Sequence, residues 1–105
     1  MKWMFYGCSN LISIGLSSFN TEKVTTMESM FNGCRALTSL NLSHFNTHLV
    51  TYMSSMFNGC TNMKILDISG FDISHIATGT NIFANLNSIK YIALKDITLP
   101  KFSIN

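Results

Sequence analysis

The residues Met-Phe-Asn-Gly-Cys stand at Met30–Cys34 and again at Met56–Cys60, and Met-Phe-Tyr-Gly-Cys stands at Met4–Cys8, each copy 26 residues from the next. The step is general. It links Phe5, Phe31, Phe57 and Phe83; Phe19, Phe45 and Phe71; Leu11, Leu37, Met63 and Ile89; Ile14, Leu40, Leu66 and Ile92; and Leu16, Leu42, Ile68 and Leu94. A fixed period of about 20–50 residues marks a solenoid, whose units cannot bury their apolar faces alone and stack on their neighbours. The spacing predicts a single repeat domain over residues 1–105, with units at 4–29, 30–55 and 56–81 and a degenerate capping unit at 82–105.

Within one unit the periodicity changes. Leu37–Ser43 places Leu40 and Leu42 on one side and Ser39, Asn41 and Ser43 on the other, which predicts a short strand with one buried face. Farther on, Met53, Met56, Phe57 and Cys60 fall at i, i+3, i+4 and i+7, the stripe of a helical turn. Met27, Met30, Phe31 and Cys34 repeat it, with Thr25 and Glu28 spaced as a capping box. Asn32-Gly33 and Asn58-Gly59 end the turn, because Gly and Asn accept the left-handed conformation. Each of about four coils is thus expected to hold one short parallel strand, a return loop and a short helical turn.

The whole unit, LTSLNLSHFNTHLVTYMSSMFNGC, resembles the 26-residue repeats of BspA-like bacterial surface proteins and of the related mycoplasmal lipoprotein repeat family, whose units read much like SLDLSNFDTSKVTNMSSMFxGC. Leu37-x-x-Leu40-x-Leu42 followed by Phe45-Asn46 is similar to the strand segment of leucine-rich repeats. The likeness covers residues 4–81. In the last unit Ile82, Asn85, Leu86 and Ile97 stand in place of Met, Gly, Cys and Phe. The resemblance implies a leucine-rich-repeat solenoid. It further implies a cell-surface or secreted protein that adheres to host or extracellular-matrix proteins. An architectural spacer and an intracellular interaction repeat are the alternatives.

Composition narrows the function classes. Seven basic residues are scattered and the net charge is +2, which argues against nucleic acid. No apolar run approaches the length of a membrane span, so this segment is not expected to insert. The opening MKWMFYGCSN lacks the apolar run of a signal peptide and reads as part of the first repeat. Cys8, Cys34 and Cys60 form a column, and stacked parallel thiols suit neither a disulfide nor a zinc site, so they are expected to be buried core. His44, His48 and His75 occupy three different repeat positions and form no ligand set. Asn20, Asn46 and Asp72, one residue after the Phe column, are expected to satisfy turn backbone. No triad or carboxylate pair is present; no enzyme, cofactor or metal is expected.

Binding would sit on the strand face, the concave side of a curved repeat. Its outward residues are Ser13, Gly15 and Ser17; Ser39, Asn41 and Ser43; Ile65, Asp67 and Ser69; and Tyr91, Ala93 and Lys95. The candidates for contact with a protein partner are Asn41, Asp67, Ser69, Tyr91 and Lys95, with the partner over the last two coils. The last strand is flanked by Lys90, Lys95, Asp96 and Pro100, residues that stop a sheet edge from pairing. The first strand, Leu11–Leu16, has no such protection. This asymmetry suggests the C-terminal part of a longer array, and a homodimer through the N-terminal edge coil.

Overall fold

Leu40 and Leu66 are the inward residues of two alternating stretches, and each stretch forms a strand. In the computed structural model, which describes residues 1–94, β1 spans Ser39–Asn41, β2 spans Ile65–Ile68 and β3 spans Tyr91–Leu94. They form one parallel sheet in the order β1-β2-β3. Ser39 lies opposite Ile65 and Ile65 opposite Tyr91, while Leu40, Leu66 and Ile92 share the next row. Parallel neighbours need a connection of about a dozen residues or more, and the 26-residue step supplies one. Away from the sheet, single parallel bridges join Thr26 to Tyr52 and Tyr52 to Thr78. Lys95, Asp96, Ile97 and Pro100 lie outside the described residues.

The segments expected as helical turns, around Met27–Cys34 and Met53–Cys60, contain no helix. They are runs of tight turns, in which Met30 N–H donates to Met27 O, Asn32 to Ser29 O and Cys34 to Phe31 O, at 3.1–3.2 Å. The alternate amides point out of the unit. Ser29, Phe31 and Gly33 donate to the carbonyls of Ser54, Met56 and Asn58 at 2.8–3.0 Å. The reason lies in the backbone. Ser29, Ser55 and Asn81 have φ of 53°, 59° and 58°, and Gly33 and Gly59 have 79°. A helix requires φ near about −60° at every residue, and the left-handed Ser29 and Gly33, at the third positions of the turns Met27–Met30 and Phe31–Cys34, prevent that. The i, i+3, i+4, i+7 spacing survives because Met53, Met56, Phe57 and Cys60 all face inward anyway. The expected capping box is also absent: Thr26 Oγ1, not Thr25, accepts from Glu28 N–H at 3.3 Å.

The equivalent side chains of successive units stack. Phe5, Phe31, Phe57 and Phe83 form a row of rings with centroids 5.4, 5.9 and 6.2 Å apart and planes within 14° of parallel. Met27, Met30, Leu37, Met53, Met56 and Met63 fill the core around them. Buried polar groups are paired within it. Thr47 Oγ1 donates to Asp72 O at 3.1 Å and accepts from Asp72 N–H at 2.8 Å, and Thr21 does the same with Asn46. These threonines join unit to unit. Asn20, Asn46 and Asp72 each accept from the amide two residues ahead, closing turns within their own units.

The first unit departs from its expected form. Leu11–Leu16 is not a strand and makes no ladder with β1. Gly70 and His44 explain the difference. Any β-carbon on Gly70 would overlap the carbonyl of Ser43, so β1 and β2 close together only because Gly70 lacks one. One unit earlier that position is His44. Its side chain holds the segment 13–17 away from β1 and bonds through Nε2 to Leu16 O at 2.7 Å. A crevice of about 370 Å³ opens between them.

Candidate functional site

The outer face of the sheet carries two rows of side chains: Ser39, Ile65 and Tyr91, then Asn41, Asp67 and Ala93. Neighbours in a row are about 4.8 Å apart, the strand spacing. The first row is the more open, with Ile65 51% and Tyr91 61% exposed. It forms a small apolar ledge with a phenol at one end.

The second row is committed to the fold. Asn41 Oδ1 accepts from the Ser43 amide at 2.9 Å and the Ser43 hydroxyl at 2.6 Å. Asp67 Oδ1 accepts from the Ser69 amide at 3.0 Å and its hydroxyl at 2.7 Å. These bonds bend the chain away at the end of each strand. The Ser69 hydroxyl, and then its amide, hold the Asp67 carboxyl below the usual carboxylate range. Of the five expected contact residues, the structure therefore leaves Tyr91 open, ties Asn41, Asp67 and Ser69 into turns, and does not describe Lys95. Ile65 completes the ledge. The sequence signal for it was an isoleucine in outward register one step before Tyr91.

A second exposed cluster lies on the first unit. Trp3 and Tyr6 are 57% and 59% exposed, with ring centroids 6.0 Å apart. Lys2 Nζ sits 5.1 Å from the Trp3 ring centre and 3.8 Å from the Glu28 carboxylate. The equivalent positions in later units hold Ser29, Ser55 and Asn81, and Asn32, Asn58 and Ala84. Two aromatics in otherwise small or polar columns were the sequence signal for this cluster.

The thiols are buried donors. Cys34 Sγ–H donates to Phe5 O at 3.2 Å and Cys60 Sγ–H to Phe31 O at 3.1 Å. Burial, then the neighbouring cysteine of the column, pushes Cys34 up to about 11 and Cys60 up to about 12. At neutral pH neither is a thiolate, so neither is a nucleophile or ready metal ligand. Among the described residues no group of three or more His, Cys, Asp or Glu side chains is placed to hold a metal ion, and no helix is long and apolar enough to cross a membrane.

A family model described as "Mycoplasma protein of unknown function, DUF285" matches residues 1–96. Neither curated proteins nor solved structures give a match to the chain.

Proposed function

As the chain belongs to the DUF285 family of Mycoplasma proteins of unknown function, we propose that it is a non-enzymatic repeat module of BspA-like, leucine-rich-repeat type. In this reading it forms a solenoid at the cell surface, or secreted, and binds a host or extracellular-matrix protein rather than nucleic acid. The observation that supports it is the Ile65–Tyr91 ledge, an exposed apolar and aromatic pair on a face otherwise made of small side chains. Aromatic anchors ringed by weak contacts are how protein interfaces concentrate their affinity.

The test is direct binding. The purified chain is immobilised and a panel of matrix and serum proteins is passed over it. Saturable binding to at least one of them is expected, with the Ile65→Ser, Tyr91→Ser double variant at least tenfold weaker. No binding, or binding indifferent to the double variant, overturns the reading. A spacer without a ligand is then the better description, favoured by the engagement of Asn41, Asp67 and Ser69 in their own turns.

A further inference from the structure

The two Met-Phe-Asn-Gly-Cys copies carry the same Asn-Gly bond, at Asn32-Gly33 and at Asn58-Gly59. An asparagine followed by glycine cyclises readily, because the glycine nitrogen lies one residue from the side-chain carbonyl and no β-carbon obstructs it. Local sequence gives the two sites the same reactivity. The fold separates them. Gly33 N–H is held by Asn58 O at 2.8 Å, whereas Gly59 N–H reaches Ala84 O at 3.2 Å. A nitrogen that must lose its proton to attack is restrained less by the longer bond. The second difference lies in the last unit. Asn85 follows Gly7, Gly33 and Gly59 in their column and is left-handed like them, with φ of 62° against 71°, 79° and 79°. Its Nδ2 donates to Asn58 Oδ1 at 3.0 Å. The residue that stands in this relation to Asn32 is Gly59, which has no side chain to donate. Water reaches the pair, as Asn58 is half-buried and Asn85 exposed.

We infer that Asn58 is a site of self-modification, at which the folded chain converts asparagine to aspartate or isoaspartate, with Asn85 polarising the amide that reacts. The Gly59 nitrogen adds to Asn58 Cγ and gives its proton to water. Negative charge gathers on Oδ1, where the Asn85 donor stabilises it. The Cγ–Nδ2 bond then breaks, and ammonia leaves with that electron pair and a proton from water, closing a five-membered imide. A second water opens the ring at either carbonyl. One opening yields aspartate. The other runs the main chain through the side chain and adds one atom between Asn58 Cα and the Gly59 nitrogen. Both products carry a new negative charge, and the second pushes Gly59 out of line with Gly33, against which it packs closely.

Asn32 is the internal reference for the test, because the same five residues surround it. The chain is aged at neutral pH, either folded or unfolded in guanidinium. Conversion at each asparagine is then followed by peptide mapping with tandem mass spectrometry and an isoaspartate assay. In the folded chain Asn58 is expected to react at least about fivefold faster than Asn32, the worth of one hydrogen bond. In guanidinium the two should react alike. Asn85→Gly keeps a residue suited to the left-handed backbone and removes the donor. It should slow Asn58 severalfold and leave Asn32 unchanged. Asn58 reacting no faster than Asn32 in the folded chain overturns the proposal. So does an excess at Asn58 that persists in guanidinium, which would place the cause in local sequence. An Asn85→Gly chain in which Asn58 reacts as fast as in the parent overturns it too.

Discussion

The rings of Phe31 and Phe57 lie 5.9 Å apart and within 6° of parallel, each wholly buried. Phe57 also stacks on Phe83, so both of its faces are covered. Phe57→Ala is expected to cost about 3–5 kcal/mol, as for large aromatic truncations in a packed core. Phe5→Ala removes a ring that is only partly buried, and its cost should be clearly smaller. Urea unfolding of both variants checks the order, and equal midpoints would contradict the stack.

At the end of the strands, substitutions at Gly70 and His44 should both destabilise, the first by more. Gly70→Ala forces β2 away from Ser43 and is expected to cost about 1–3 kcal/mol, the usual range for overpacking. His44→Ala removes one hydrogen bond at an exposed position and should cost about 0.5–1.5 kcal/mol. Thermal unfolding distinguishes them. A Gly70→Ala chain as stable as the parent would show that the close approach is not needed.

The thiols predict both a reactivity and a pH dependence. At pH 8, Cys34 and Cys60 should resist a thiol reagent until the chain is unfolded, and Cys8, less buried, should react first. Their folded pKa values lie above the ordinary 9.0, at about 11 and about 12, so the folded chain holds these protons more tightly than the unfolded one. Stability from this source is complete below about pH 9 and falls as pH rises toward 11 and 12. Unfolding midpoints between pH 8 and 11 measure it, and Cys34→Ala, Cys60→Ala should flatten the curve.

Asp67 titrates the other way. Its carboxyl is held below the ordinary 3.8 by Ser69, so its contribution is present above that value and is lost as pH falls through the folded pKa. Asp67→Asn places at this position the residue found at Asn41, which makes the same pair of bonds. The substitution should preserve the turn at neutral pH and remove part of the acid sensitivity. Asp67→Ala should lose the turn at all pH values. Acid titrations of the two variants separate these outcomes.

Equivalence between residues was legible in the sequence, because a buried row demands the same kind of side chain at every step. The Phe, Cys and Leu rows could be read from spacing alone, and so could the alternation that puts Leu40 in and Ser39 out. The turn segment could not. Met53, Met56, Phe57 and Cys60 suit a helix and a run of tight turns equally, since both conformations bury the same four positions. The left-handed serines decide between them, and Ser29 and Ser55 carry no local sign of that conformation. The loss of pairing at Leu11–Leu16 was also hidden, because it depends on His44, a residue of the next unit. On the sheet face, residue type pointed to Asn41 and Asp67, whereas the hydrogen bonds that occupy them were visible only once Ser43 and Ser69 were in place.

The unbroken 26-residue register also governs how such a chain can change length. Excising residues 30–55 would join Ser29 to Met56, the residue that matches Met30, and every row would close up on a true equivalent. Phe5 would meet Phe57, Cys8 would meet Cys60, and Gly70 rather than His44 would face the first unit, sealing the crevice. Excising one residue more or fewer would instead rotate each later side chain out of its row, polar groups into the core and aromatics into water. Whole units are thus interchangeable parts, while an indel of any other size is a frameshift in three dimensions.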